Sequence, residues 1–195
     1  QRLTNIGEKL RLIYNYKTRV KLQVAELEAK EKALQKMAYF DGLTNILNRK
    51  VFIEVVQERI VQYGEGRDDF YIIFLDINDK MGHYYGDLIL KELSYRIMRH
   101  LSERDTIGRL GGDELGLLIY AQSENQIMEN LRKIKEEILR AYRFEGKELH
   151  VTVSMGVAHF PADGHTSTEL LKNADLAMYQ SKAIGKNRIT LFKSV

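Results

Sequence analysis

Residues 107–120, Ile-Gly-Arg-Leu-Gly-Gly-Asp-Glu-Leu-Gly-Leu-Leu-Ile-Tyr, leave the chain few ways to fold locally. Two short apolar runs flank a glycine pair, the pattern of two antiparallel strands joined by a tight turn. The turn carries two adjacent carboxylates, Asp113 and Glu114. Like charges side by side repel unless a cation or solvent screens them. On the turn alone two readings fit equally: a solvated hairpin tip, or a metal site on a rigid turn whose glycines let a ligand approach the backbone.

The surrounding pattern places that hairpin. Asp41-Gly42-Leu43-Thr44 reads as a turn and cap, and Asn48-Arg49 leads into a helix over about 50–62. Gly64-Glu65-Gly66-Arg67 reads as a loop, and Phe70–Ile77 is an apolar, aromatic run of strand length with an acid, Asp76, near its end. A helix over about 86–101 precedes the hairpin strands, expected near 105–109 and 115–120; a helix over about 123–142, a strand over 148–158, a helix over 167–184 and a strand over 188–192 follow. The order strand–helix–strand–strand–helix–strand implies an α+β domain of ferredoxin-like or palm type, with helices packed on a mostly antiparallel sheet.

Residues 3–38 have a different texture, with no proline, one glycine, and abundant Lys, Glu, Leu, Ala and Gln. Ile6, Ile13, Val20, Leu27 and Leu34 recur at seven-residue spacing, which is one seam of a coiled coil. The second seam is untidy: four residues on come Leu10, Lys17, Val24, Glu31 and Ala38, and three on come Lys9, Tyr16, Gln23, Lys30 and Met37. A weak coiled coil, a surface helix, or a coil whose two registers compete all fit this pattern. The chain therefore divides into a linker helix over 1–38, preceding the sheet domain as a long coiled-coil helix, and a globular domain over 39–195.

Charge follows the same division. Residues 1–40 hold nine Lys/Arg against four Glu, and the remainder holds 21 basic and 23 acidic residues. The globular part has no charge-based claim on nucleic acid. The chain has no cysteine, which excludes disulfides and thiolate metal sites. No apolar run approaches the roughly 20 residues of a membrane span, and no signal-peptide pattern opens the chain. The expectation is a cytoplasmic protein without direct membrane contact.

Asp76 near a strand end and Asp113 and Glu114 on a hairpin that can lie beside it form a candidate site for Mg²⁺ (or Mn²⁺), held by oxygen ligands alone. Such ions neutralise phosphates and stabilise in-line displacement. Asp76 by itself reads equally as a strand-end cap.

Several separated motifs, quoted in order, carry a resemblance. These are Asp41-x-Leu43-Thr44-x-x-x-Asn48-Arg49, Asn78-Asp79-x-x-Gly82-His83-x-x-Gly86-Asp87, Arg109-Leu110-Gly111-Gly112-Asp113-Glu114-Leu115, Ala174-Asp175-x-Ala177-Met178-Tyr179 and Lys182-x-x-Gly185-Lys186-Asn187-Arg188. From about residue 39 onward the chain resembles a GGDEF domain of the diguanylate cyclase family, with Leu115 where phenylalanine is usual.

The resemblance implies condensation of two GTP into cyclic di-GMP with release of two pyrophosphates. It implies that Asp76, the Ile77 carbonyl and Asp113 hold metal, with Glu114 as a further ligand or as the base for the ribose 3′-hydroxyl. Asn78 and Asp87 would bind the guanine edge, a pattern of donors that adenine lacks. His83 would lie near the base or ribose, or be an ordinary surface histidine. Lys182 and Lys186 would touch the triphosphate, or be a solvated helix end. Each domain would hold one GTP, so catalysis needs a homodimer. The N-terminal coiled coil would supply it, under an upstream sensor domain in a longer parent chain. A catalytically silent module that binds GTP or cyclic di-GMP is the alternative.

Two departures stand out. The family places about six more residues between the strand-end acid and the asparagine, where backbone amides cradle phosphates; here Asp76-Ile77 runs straight into Asn78-Asp79. Either the deletion is genuine, or the protein contains a segment that the sequence lacks, in which case its intact mass exceeds 22.7 kDa by about six residues. Second, the family's inhibitory product site pairs an arginine with an acid three residues on; Asp105 is present, but Ser102 stands at the arginine position. Weak or absent product inhibition through that site is expected.

Overall fold

The computed structural model describes residues 2–63, 69–78 and 82–193, with side chains from Gly7 onward. The expected loop at 64–67, Asp79 and the side chain of Ile6 lie outside the described residues. The chain separates into two compact units, residues 1–39 and 40–195.

The first unit is one helix, α1 (Arg2–Tyr39), and its side chains from Gly7 onward are exposed, including the apolar seam positions Ile13, Val20, Leu27 and Leu34. Among the described residues, no helix is long and apolar enough to cross a membrane.

The second unit runs α2 (Arg49–Val61), β1 (Phe70–Asn78), α3 (His83–Met98), β2 (Thr106–Gly111), β3 (Glu114–Tyr120), α4 (Glu124–Leu139), β4 (Tyr142–Phe144), β5 (Lys147–Leu149), β6 (Thr152–Phe160), α5 (Ser167–Ala183) and β7 (Ile189–Leu191). Side-chain caps begin three of the helices: Asn48, Ser123 and Thr166 accept from the amides of Val51, Gln126 and Glu169. Each satisfies an amide that has no partner within its own helix. The main sheet has the order β2-β3-β1-β6-β7, antiparallel except for the parallel β6–β7 pair. The first four strands of that order, with α3 and α4 as connections, are the expected ferredoxin-like arrangement.

β1 is the central strand, and its continuous apolar run is explained by burial on both faces. Tyr71, Ile73, Leu75 and Ile77 pack with Ile89, Leu93 and Ile97 of α3 and Ile127, Leu131, Ile134 and Ile138 of α4. Phe70, Ile72 and Phe74 pack with Phe52 and Val56 of α2 and Leu170, Ala174 and Met178 of α5. Successive strand residues alternate faces, so Asp76 and Asn78 fall on the α2/α5 side.

Two boundaries differ from expectation. The strand expected over 148–158 is split: Lys147–Leu149 pairs with Tyr142–Phe144 in a separate hairpin, and β6 begins at Thr152. Glu145 and Gly146, at φ 51° and 77°, form its two-residue turn, a conformation that matches strand twist. α4 stops at Leu139 because Arg96 of α3 caps it, donating to the carbonyls of Glu137 (3.1 Å), Arg140 (2.8 Å) and Ala141 (3.2 Å). The same guanidinium lies 4.0 Å from the centre of the Tyr142 ring. Burial pushes the Tyr142 phenol up to about 12.

Candidate functional site

The hairpin between β2 and β3 is held from outside. Arg109 donates from Nε and Nη2 to the Gly112 carbonyl at 3.0 and 2.9 Å, and from Nη1 to Asp41 Oδ1 at 3.1 Å. Arg49 Nη1 donates to the Leu110 carbonyl at 3.0 Å. Asp41 also accepts from the Thr44 amide and hydroxyl, at 2.9 and 2.7 Å. Burial raises the Asp41 pKa, but the Thr44 and Arg109 hydrogen bonds outweigh it and hold the carboxyl below its ordinary value. The opening motif is thus a bracket that fixes the turn, with Gly112 at φ 37° as its left-handed residue. Leu115 is fully buried, so leucine in place of phenylalanine there changes core volume.

Asp76 lies directly opposite Glu114 in the β1–β3 register. The Ile77 amide donates to the Asp113 carbonyl at 3.1 Å, which makes Asp76–Glu114 a pair without mutual backbone bonds, the kind whose side chains come closest. Burial, then the charges of Asp76 and Asp175, push the Glu114 pKa up against the opposing pull of Lys182 and Arg49. Lys182 Nζ sits 2.6 Å from Asp76 Oδ2, and Asn78 Nδ2 donates to Asp76 Oδ1 at 3.1 Å. Ser154, opposite Asp76 on β6, is fully buried, and its hydroxyl has no hydrogen-bond partner among the described residues.

Of the three expected acids, the register thus sets Asp76 and Glu114 face to face. Among the described residues, no three Asp, Glu or His side chains are grouped to hold one ion. The register sets Glu114 opposite Asp76, while Asp113 stands in the turn between β2 and β3. The donor chemistry nonetheless fits a divalent cation: hard oxygens at Asp76 and Glu114, and an acidic surplus recorded in the raised pKa of Glu114.

Of the expected guanine-binding residues, Asn78 ends β1, and His83 and Asp87 stand on α3. Asn78 is tied to Asp76 on the α2/α5 side. His83 and Asp87 are exposed, one turn apart, on the first two turns of α3, which packs on the opposite face. β1 continues through Asn78, which pairs with Thr152 of β6. Lys186 is exposed at φ 59° in the loop after α5, and its amide donates to the Ser181 carbonyl at 3.0 Å. Lys135 of α4 anchors that loop through the Asn187 carbonyl at 2.5 Å.

Three of the site's contacts differ in how far the sequence announces them. Arg109–Asp41 joins two motifs of opposite charge, a usable but unspecific signal. Asn78–Asp76 was legible, because residues two apart on a strand share a face. The proximity of Asp175 to Glu114 had no local signal.

Asp105 is fully engaged. Oδ2 accepts from the amide and hydroxyl of Ser102 at 2.8 and 2.7 Å, and Oδ1 accepts from the Tyr120 amide at 3.0 Å. Asp105→Ala is therefore expected to destabilise the β2–β3 pair by about 1–3 kcal/mol. Any inhibition of the protein by cyclic di-GMP is expected to stay unchanged, read from initial rates with and without added product. Inhibition that disappears in Asp105→Ala would refute the structural role.

The family described as "Diguanylate cyclase, GGDEF domain" matches residues 38–188. The bifunctional diguanylate cyclase/cyclic di-GMP phosphodiesterase MucR of Pseudomonas aeruginosa is 34% identical over 182 residues, covering 90% of this chain and 27% of that protein. Diguanylate cyclase A of Treponema denticola is 29% identical over 207 residues, covering 97% of this chain and 55% of that protein. The chain thus spans about a quarter to about half the length of these relatives. Among solved structures, the coiled coil and GGDEF domain of DgcB from Caulobacter crescentus, in complex with c-di-GMP, superposes with a TM-score of 0.76 at 26% identity, covering 89% of this chain and 96% of that one. With the bracketed Gly-Gly-Asp-Glu hairpin and its facing aspartate, these matches place the chain in the GGDEF-domain family of diguanylate cyclases.

Proposed function

We propose that the chain is the diguanylate cyclase module of a longer signalling protein, condensing two GTP into cyclic di-GMP with release of two pyrophosphates. The observation that carries this reading is Glu114 set directly opposite Asp76 by a hairpin fixed at Arg109 and Arg49. Asp76, the Ile77 carbonyl, Asp113 and Glu114 would hold Mg²⁺ (or Mn²⁺), which when bound neutralises triphosphate charge and favours in-line displacement. Glu114, with its raised proton affinity, is suited to accept the proton of the ribose 3′-hydroxyl. Lys182 and Lys186 reach the phosphates from the end of α5 as point charges. Asp87 accepts from the guanine edge and His83 lies beside the base or ribose; the placement of Asn78 leaves it to Asp76.

Two domains must face each other, each with one GTP, and the exposed apolar seam of α1 supplies the means. Pairing two such helices raises the effective concentration of one domain near the other into the roughly millimolar range.

The second reading, a silent module that holds GTP or cyclic di-GMP, is favoured by one observation: β1 runs from Ile77 straight into Asn78, both paired with β6, with no turn between them. Incubation with GTP and Mg²⁺ followed by nucleotide chromatography separates the two. Two pyrophosphates per cyclic di-GMP are expected, with a rate that falls about a hundredfold on removal of residues 1–36 at micromolar protein. Unconverted GTP would establish the silent module.

A further inference from the structure

Both oxygens of Asp76 are occupied. The Lys182 ammonium lies 2.6 Å from Oδ2 and the Asn78 amide donates to Oδ1 at 3.1 Å. The ion pair is sheltered, with the Asp76 side chain 15% exposed and that of Lys182 29% exposed. A cation that ligates Asp76 has to share the carboxylate with these donors or displace them. If it enters alone, Lys182 is left beside a dication, and like charges at a few ångströms in a sheltered site repel strongly. If it enters with a polyphosphate, Lys182 gains a new anionic partner and the repulsion becomes attraction.

We propose that Lys182 and Asn78 form a lock on Asp76 that closes the site to a lone divalent cation and opens when metal and polyphosphate arrive together. This rests on the metal reading of Asp76 and Glu114 given above. It assigns Asn78 a role that follows from the shortened connection after Ile77, which sets its amide two residues from Asp76 on the same face of β1. It also gives Lys182 two successive partners, the carboxylate before substrate arrives and the phosphates afterwards. The consequence is ordered chemistry: the acids do not load metal until there is a phosphate chain for the metal to act on.

The test is Mn²⁺ binding to the full chain without nucleotide, followed by the EPR signal of free Mn²⁺. Lys182→Met is expected to bind Mn²⁺ about tenfold tighter than the unsubstituted protein, the effect of removing one positive charge in contact with a ligating carboxylate. Asn78→Ala is expected to bind about two- to threefold tighter, since a neutral donor holds the carboxylate less firmly than an ammonium. The gain is expected to vanish in the double variant Lys182→Met/Asp76→Asn. Lys182→Gln serves the same purpose should Lys182→Met not fold. Equal or weaker Mn²⁺ binding in the Lys182 variants, with measurable binding in the unsubstituted protein, removes the lock and leaves the metal site standing. Absence of Mn²⁺ binding from every protein in the series overturns the lock and the metal reading together.

Discussion

Gly156→Val is expected to yield protein that does not fold, or that unfolds at least about 8 °C below the unsubstituted chain. A Cβ at Gly156 of β6 would lie 2.0 Å from the Ala174 carbonyl oxygen and 2.1 Å from the Met178 amide nitrogen. Both are backbone atoms of α5, so no rotamer change relieves the clash. Inserting atoms into a packed core costs about 1–3 kcal/mol where side chains can give way. Here the helix itself must lift, opening the layer formed by Phe70, Ile72, Leu170, Ala174 and Met178, and a cost above about 4 kcal/mol is expected. That is a large share of the roughly 5–15 kcal/mol that holds a domain together. Gly116 provides the contrast, because its added Cβ would meet the Phe52 ring at 2.6 Å, a side chain that can be trimmed. Gly116→Ala is expected to be partly rescued by Phe52→Leu, whereas no single side-chain change rescues Gly156→Val. Thermal unfolding by circular dichroism reads all of these. A Gly156→Val protein that melts with the unsubstituted one would mean that α5 does not press on β6 as described.

The seat of α5 also explains what was legible in the sequence. The period-2 and period-3.6 patterns give each large element to within a few residues, because burial on defined faces writes those periods. β1 reads as a strand buried on both sides because helices cover both faces of the sheet. Strand order allows β1 to neighbour β3, and the register then sets Asp76 opposite Glu114. The β4–β5 hairpin escapes notice because three-residue strands are too short to show a period. Lys182–Asp76 and Asp175–Glu114 escape for another reason: they exist only because Gly156 admits the α5 backbone to the sheet surface, a tertiary fact that no window around residue 76 contains. Asn78 carries two readings: its motif points to a guanine contact, and its place two residues from Asp76 on one strand gives it a hydrogen bond to that acid.

Glu114→Gln is expected to lower cyclic di-GMP formation by at least about a thousandfold, within the range for loss of a general base, while making the protein slightly more heat-stable at neutral pH. The two effects share one cause. Burial, Asp76 and Asp175 raise the pKa of Glu114 in the folded chain above its ordinary 4.5. Between those two values the folded state keeps a proton that the unfolded state has released, so stability falls as pH rises through that window. The deficit is then carried to neutral pH. Glutamine has no charge to bury, so its curve lacks that fall. The two proteins should melt together near pH 4 and separate above it, with the variant the higher-melting of the two at pH 7. Saturating Mg²⁺ together with a non-hydrolysable GTP analogue should close that gap by neutralising the acids of the unsubstituted protein. A residue kept for packing gives the opposite sign, because its replacement lowers stability at every pH. Activity retained in Glu114→Gln removes Glu114 from catalysis, and a lower melting point at pH 7 removes the electrostatic conflict from which its role is argued.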